Sequence, residues 1–357
     1  MTPTPDPAFS LDDTDAILDA AARWRAEGRK VALATVVNTW GSSPRPVGSQ
    51  LAVDNAGAFI GSVSGGCVES AVIAEARAVL KGAPPKLLEF GISHEQAWEV
   101  GLACGGRVEI FVQALAAEDG LLAALRRARA ARRPALVATD LADGRSALVA
   151  EDEDAGETAL RAALAEDVAR VLLEERSRVI ERAGRRYFLH VFPPPRRLAL
   201  VGAVHIAQAL IPMAVAAGYE VTLIDPRSAF AAESRFPGVT MTHAWPEAAL
   251  AGFAPDRRSA VVTLTHDPKL DDPALAAALR SDAFYVGALG SRKTHAARLQ
   301  RLREQGFGDA DVARIHAPVG LAIGAVSPAE IAVSILAQMT QALRGAAPLA
   351  PVRQAAE

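Results

Sequence analysis

Both cysteines of this 357-residue chain adjoin a glycine pair, Gly65-Gly66-Cys67 and Cys104-Gly105-Gly106. The first sits in Gly61-Ser62-Val63-Ser64-Gly65-Gly66-Cys67-Val68-Glu69-Ser70, after a short apolar segment at 58–60. Val68, Val72, Ala76 and Val79/Leu80 then recur at helical spacing, with Glu69, Glu75 and Arg77 turned elsewhere. Cys67 is therefore expected in or beside the first turn of a helix. Unpaired N–H groups and the positive end of the dipole gather there and favour thiolate over thiol. Gly65 and Gly66 carry no Cβ, so their amides can approach a ligand closely. The chemistry on offer is a soft sulfur in an anion-friendly loop. The competing reading is a small buried thiol in an ordinary turn.

Two further segments offer related groups. Gly101-Leu102-Ala103-Cys104-Gly105-Gly106-Arg107 leads directly into a strand pattern at 108–112. Gly41-Ser42-Ser43-Pro44-Arg45-Pro46-Val47-Gly48 is too broken by proline and glycine for regular structure, and presents two hydroxyls, a guanidinium and backbone amides together. The two cysteine turns face one another only if a sheet brings those ends together. No Cys-x-x-Cys is present, which ranks thiol redox chemistry last.

The positioning elements can be read around these segments. Asp12 or Asp13 can cap a helix whose face carries Ile17, Leu18, Ala21 and Trp24, and Gly28 ends it. Strands are predicted at 31–37 and 86–90, with hairpins at 50–60 and 135–150, and a helix at 118–132. The acidic run 151–157 reads as a solvated loop. Tyr187 to Val191 reads as a strand, and Pro193-Pro194-Pro195 as a linker. This gives an N-terminal α+β domain over 10–192 and a second domain over 196–345.

The second half alternates strand and helix patterns, which predicts a Rossmann-like, doubly wound parallel sheet. Gly202-Ala203-Val204-His205-Ile206-Ala207 stands where a dinucleotide fingerprint would, and Asp225 follows about 20 residues on, where a ribose-binding acid is expected. Val204 replaces the second glycine, and its branched Cβ fills the space a pyrophosphate needs, which argues against ordinary NAD(P) binding. Thr265-His266-Asp267 and Gly287-Ala288-Leu289-Gly290-Ser291-Arg292-Lys293 follow two later strands; the second opens a basic helix and resembles an anion cradle. Ser327-Pro328-Ala329-Glu330 reads as a structural capping box.

Composition narrows the classes. Half of the residues are apolar and the formal net charge is −3, which argues against nucleic acid as a partner. Two thiols make neither a disulfide framework nor a four-ligand zinc site, and a reducing cytoplasm is expected. The first basic residue is Arg23 and 1–10 has no apolar core, so no secretory leader is expected. The most apolar stretch, 198–217, is interrupted by Gly202, His205 and Gln208 and reads as strand–turn–helix rather than a membrane span.

The ordered set GSSPRPVG, GSVSGGCVES, GLACGGRVEIF, LALVGAVHIAQAL, VTLIDPRSAFA, VTLTHD, VGALGSRKTH and PVGLAIGAVSPAEIAVSILAQM resembles the XdhC/CoxI family over roughly residues 10–345. These are accessory proteins of xanthine dehydrogenase and carbon monoxide dehydrogenase. The resemblance implies a maturation chaperone without turnover of its own. It would bind the molybdenum cofactor transiently, support its sulfuration by a cysteine desulfurase, and deliver it to a molybdenum hydroxylase apoenzyme. A second copy of the chain is a further candidate partner. By the same resemblance Cys67, Cys104, Gly65, Gly66, Gly105 and Gly106 lead the cofactor contacts, followed by Ser42, Ser43 and Arg45. In the second domain the set is Gly202, His205, Asp225, His266, Gly290, Ser291 and Arg292. The alternative is an NAD(P)-dependent oxidoreductase built on the βαβ unit and Asp225, with His205 or His266 for acid–base work.

Overall fold

A computed structural model describes residues 14–41, 43, 45–91, 106–116, 120–151 and 153–345. The chain divides into two compact units that meet in sequence at Pro194 and Pro195.

In the first unit, helix α1 (Thr14–Ala26) is followed by β1 (Val31–Trp40), β2 (Gln50–Asp54), β3 (Phe59–Gly61), α2 (Glu69–Leu80), β4 (Lys86–Phe90) and β5 (Arg107–Ala114). These five strands form one antiparallel sheet in the order β3-β2-β1-β5-β4. Alternation along β1 explains its two covered faces. Ala32, Ala34 and Val36 pack with Val72, Ala76 and Val79 of α2, whereas Val31 and Leu33 pack with Ile17, Leu18 and Ala21 of α1. The ladder between β1 and β5 shifts register between Val36 and Asn38, a β-bulge at Val37.

Then come α3 (Leu121–Ala130), β6 (Ala135–Asp140), β7 (Ser146–Ala150), β8 (Glu153–Gly156), α4 (Thr158–Ala163), α5 (Ala165–Glu174), β9 (Arg178–Arg182) and β10 (Arg185–Phe192). They build a second antiparallel sheet, β8-β7-β6-β10-β9. Leu136, Ala138, Leu189 and Val191 face α5. Val137 and Phe192, from the alternate positions, pack with Leu33 and α1, which joins the two sheets in one interior. The acidic run departs from expectation: 153–156 pairs with β7, Ala147 opposite Gly156, as an edge strand. Edge pairing uses only the backbone, and charged side chains are ordinary there.

The second unit holds β11 (Arg196–Val201), α6 (His205–Ala216), β12 (Tyr219–Ile224), β13 (Thr240–Thr242), α7 (Pro246–Phe253), β14 (Ser259–Thr263), α8 (Pro268–Leu279), β15 (Tyr285–Ala288), α9 (Arg292–Glu304), α10 (Asp309–Val312), β16 (Ile315–His316) and α11 (Pro328–Arg344). The sheet order is β13-β12-β11-β14-β15-β16, parallel throughout. Counted from its first strand this is 3-2-1-4-5-6, the doubly wound Rossmann arrangement, with its crevice where β11 meets β14. The expected capping box opens α11: Ser327 accepts the Glu330 amide at 3.2 Å, and Glu330 accepts the Ser327 amide at 2.8 Å. No described helix is long and apolar enough to cross a membrane.

Candidate functional site

The Cys67 loop is organised by its own acid. Oε1 of Glu69 accepts the Ser62 hydroxyl at 2.6 Å and the amides of Val63, Ser64 and Gly65 at 3.2, 2.9 and 3.1 Å. Oε2 accepts the Gly66 amide at 2.9 Å and the Ser64 hydroxyl. Glu69 therefore turns back into the loop, not outward as its helical position predicts. The amides expected to receive a ligand anion already hold a carboxylate. Burial opposes its charge, but the hydroxyls of Ser62 and Ser64 and the loop amides prevail and hold its pKa down at about 2. Gly66 has φ +116° with open space around a notional Cβ, so the backbone conformation alone demands glycine there.

Cys67 crowns this loop. It precedes Val68, the N-cap of α2, and its side chain is exposed, which removes the reading of a buried thiol. The antiparallel ladder also sets what surrounds it. Leu51 pairs with Gly61 and Trp40 pairs with Arg107, so the end of β3, the start of β2, the end of β1 and the start of β5 share one edge of the sheet. The loop at 41–49, the loop at 62–68 and Gly106 all leave from that end of the sheet, with Trp40 and Arg107 set about 14 Å further along the strands than the start of β2, which pairs with Thr35. Half-exposed Trp40 lies under the Arg107 guanidinium at 4.8 Å. Ser43 donates its hydroxyl to the Arg45 carbonyl at 2.9 Å, tightening the proline-rich loop.

The second unit gathers its groups at the strand carboxyl ends. Gly202 (φ +115°) packs so close to β14 that a Cβ would meet Thr265 Cγ2 at 2.5 Å. Asp225 is wholly buried. Its carboxylate accepts the Ala203 amide at 2.8 Å and is clasped by Arg227, Nε at 2.9 Å and Nη2 at 2.7 Å. Burial works against its ionisation, yet the bonds from Arg227 and Ala203 hold its pKa below the usual carboxylate value. A ribose would have to displace Arg227 to reach it.

Across the crevice, Asp271 and Arg298 form a buried pair at 3.2 Å. Asp271 also accepts the Thr265 hydroxyl at 2.6 Å, and Arg298 donates to the Leu289 carbonyl at 3.0 Å. Burial raises the pKa of Asp271 in spite of Thr265 and Arg298. Nε and Nη1 of Arg298 have no partner among the described residues, and Nη1 lies 3.8 Å from the point where a Gly290 Cβ would be. The buried cation beneath the Gly290 turn is thus Arg298, whereas Arg292 is exposed in the first turn of α9. Ser291 spends its hydroxyl accepting the Thr294 amide at 3.1 Å.

With this geometry in view, comparison with known proteins is decisive. Residues 24–91 match the XdhC and CoxI family and residues 198–339 match the XdhC Rossmann domain. The molybdenum cofactor insertion chaperone PaoD of Escherichia coli K12 is 30% identical over 94% of this chain and 90% of its own. The chain belongs to the XdhC/CoxI family. A protein of Bacillus subtilis 168, named as a probable xanthine dehydrogenase subunit, is 27% identical over 87% of this chain and 92% of its own. The crystal structure of a xanthine dehydrogenase from Bacillus halodurans shares the fold, with TM-score 0.73 at 23% identity, covering 92% of this chain and 96% of that one.

Within this XdhC/CoxI chain, Gly65, Gly66, Cys67, Ser43, Arg45 and Gly106 lie in segments that leave the same end of the sheet. Ser42, Cys104 and Gly105 lie outside the described residues. His205 is exposed as the first residue of α6, and His266 has a left-handed φ of +61°, a costly backbone state for histidine. Sequence reasoning missed Glu69 and Arg298. Two serines and two glycines just before an acid in a first helical turn could have signalled the former. Nothing local signals Arg298, whose spacing on α9 resembles that of any solvated arginine.

Proposed function

We propose that this XdhC/CoxI protein receives the molybdenum cofactor as cargo, holds it during sulfuration by a cysteine desulfurase, and passes it to a xanthine dehydrogenase-type apoenzyme. The observation that carries this reading is the exposed Cys67 thiol on a loop braced by Glu69, at the same end of the sheet as the Arg45 loop and the Trp40–Arg107 pair. Likeness to an insertion chaperone over nearly the whole chain supports it. In this reading a Cys67 thiolate meets the sulfur-preferring metal, since soft ligands suit that chemistry. Arg45 meets the cofactor phosphate as a charge-assisted donor, and Arg107 joins it by leaving Glu89, its present ion-pair partner. Glu69 touches no cargo and fixes the loop geometry. Cys104, Ser42, Gly105 and Gly106 complete the proposed contact set from the same sequence motifs. The second unit contributes Gly202, His205, Asp225, His266, Gly290, Ser291 and Arg292 as candidates of lower rank, because Asp225 and Ser291 already have partners.

The test is to co-purify the full chain with its dehydrogenase from molybdate-fed cells, then measure molybdenum by mass spectrometry and pterin by oxidative fluorescence. Near-stoichiometric pterin that falls at least about tenfold in Cys67→Ser is the expected result. A chain free of pterin and molybdenum, with full dehydrogenase activity in its absence, would overturn the reading.

A further inference from the structure

The first unit contains a cavity of about 800 Å³, walled by the facing sides of its two sheets. Strand alternation directs Leu33, Thr35 and Val37 of β1, Phe111 and Gln113 of β5, and Phe188, His190 and Phe192 of β10 toward it. A sealed sheet-on-sheet interior would be apolar throughout. This one is polar at its centre. Thr35, Gln50, Thr139 and His190 are all buried, at 8, 5, 5 and 8% exposure.

Their hydrogen bonding is incomplete. Gln50 Nε2 donates to Thr35 Oγ1 at 3.3 Å, and the two residues are register partners in the sheet. Gln50 Oε1 is buried with no partner among the described residues. The His190 ring lies between Phe188 and Phe192, with centroids at 5.3 and 4.0 Å. Leaving a buried acceptor unmade costs about 1–3 kcal/mol, so selection would discard it unless something answers it. The charged lining residues Asp143 and Arg145 pair with each other at 3.1 Å, and Glu157 is exposed at the margin. The interior therefore offers aromatic faces, an amide edge and an imidazole, but no charge.

We propose that this cavity binds an uncharged heteroaromatic ring system, whose N–H edge is accepted by Gln50 Oε1 and whose faces lie against Phe111, Phe188 and Phe192. Its size falls in the range of small-molecule sites, and mostly apolar walls with a few convergent polar groups are what such sites share. Purine and isoalloxazine rings meet the description. The site adjoins the Cys67 loop through the Gln50 carbonyl, which accepts the Ser62 amide at 3.0 Å, but its ring contacts use none of the Cys67, Arg45 or Arg107 side chains.

The experiment is calorimetric titration of the full chain with adenosine and riboflavin, and with AMP as a charged control. At least one neutral ring should bind with a micromolar Kd, and AMP should gain nothing over adenosine. Leu33→Trp, which fills the cavity, and Gln50→Leu, which removes the acceptor, should each weaken binding at least about tenfold, while Cys67→Ser leaves it unchanged. Thr35→Val replaces either variant that loses its native circular dichroism. Failure of both rings to bind at millimolar concentration, or binding that survives in the folded cavity variants, would overturn the proposal.

Discussion

The carboxylate of Glu69 accepts the Gly66 amide at 2.9 Å, three residues back along its own chain. A side chain thus occupies the nest that the glycine pair creates, and Cys67 stands between the two partners. The loop is preorganised before any cargo arrives, which lowers the ordering cost of binding.

Glu69→Ala should remove six hydrogen bonds at once, leaving the Gly65 amide only the Ser62 hydroxyl at 2.9 Å. A loss of about 1–2 kcal/mol in urea unfolding is expected, since the network is only half-buried. Cys67 should then react faster with a thiol reagent at fixed pH. Unchanged stability and reactivity would show that the loop holds itself without the acid.

His190 sets an acid limit. Burial, with Arg129 adding a smaller push, drives its pKa from 6.5 to about 3, so the fold excludes its proton while the unfolded chain accepts one. Its contribution to stability is complete above pH 6.5 and is lost as pH falls from there toward 3. The slope is about 1.4 kcal/mol per pH unit for one proton. Glu69 follows the same direction only below its ordinary value of 4.5. Denaturation midpoints between pH 6.5 and 4.5 should therefore flatten in His190→Phe relative to the parent. Equal slopes would remove His190 from the account.

Gly202→Ala should cost about 2–4 kcal/mol, because the new methyl meets Thr265 Cγ2 at 2.5 Å and φ is +115°. Thr265→Ser removes that methyl and should recover only the steric part. A double-mutant cycle measured by chemical denaturation separates the two effects.

Arg298→Met leaves Asp271 buried without its cation. A loss of about 3–5 kcal/mol is expected. Asp271→Asn in the same background should recover part of it, since a neutral amide needs no counter-charge. A lack of recovery in the melting curves would mean that packing, not charge, sets the cost.

Much of the fold was legible because periodicity reports burial. The β2–β3 and β6–β7 hairpins and the alternation of strands and helices after Pro195 follow from apolar spacing and turn residues alone. Segment 153–156 was not legible, because an edge strand is held by backbone bonds that charged side chains do not disclose. The site was legible by residue type and not by partnership. Cys67 and its glycines announce themselves, but Glu69 at the start of a helix has the pattern of a solvated acid. Asp225 matched a ribose acid by spacing, yet Arg227, two residues on, takes its carboxylate. Thr35, Gln50 and His190 each read as an unremarkable strand position; only the pairing of two sheets makes them a polar centre.

The extra residue at Val37 determines which side chain greets Arg107. Beyond it Asn38, Thr39 and Trp40 stand opposite Glu109, Val108 and Arg107, with the indole beneath the guanidinium. A ladder running on regularly from Val36 would instead set Val37 opposite Glu109, Asn38 opposite Val108 and Thr39 opposite Arg107, and would turn Trp40 to the reverse face. Thr39 would take the place that Trp40 holds, and the ring would leave the guanidinium. One unpaired residue in the ladder therefore acts as a phase setting for everything the chain presents at that rim.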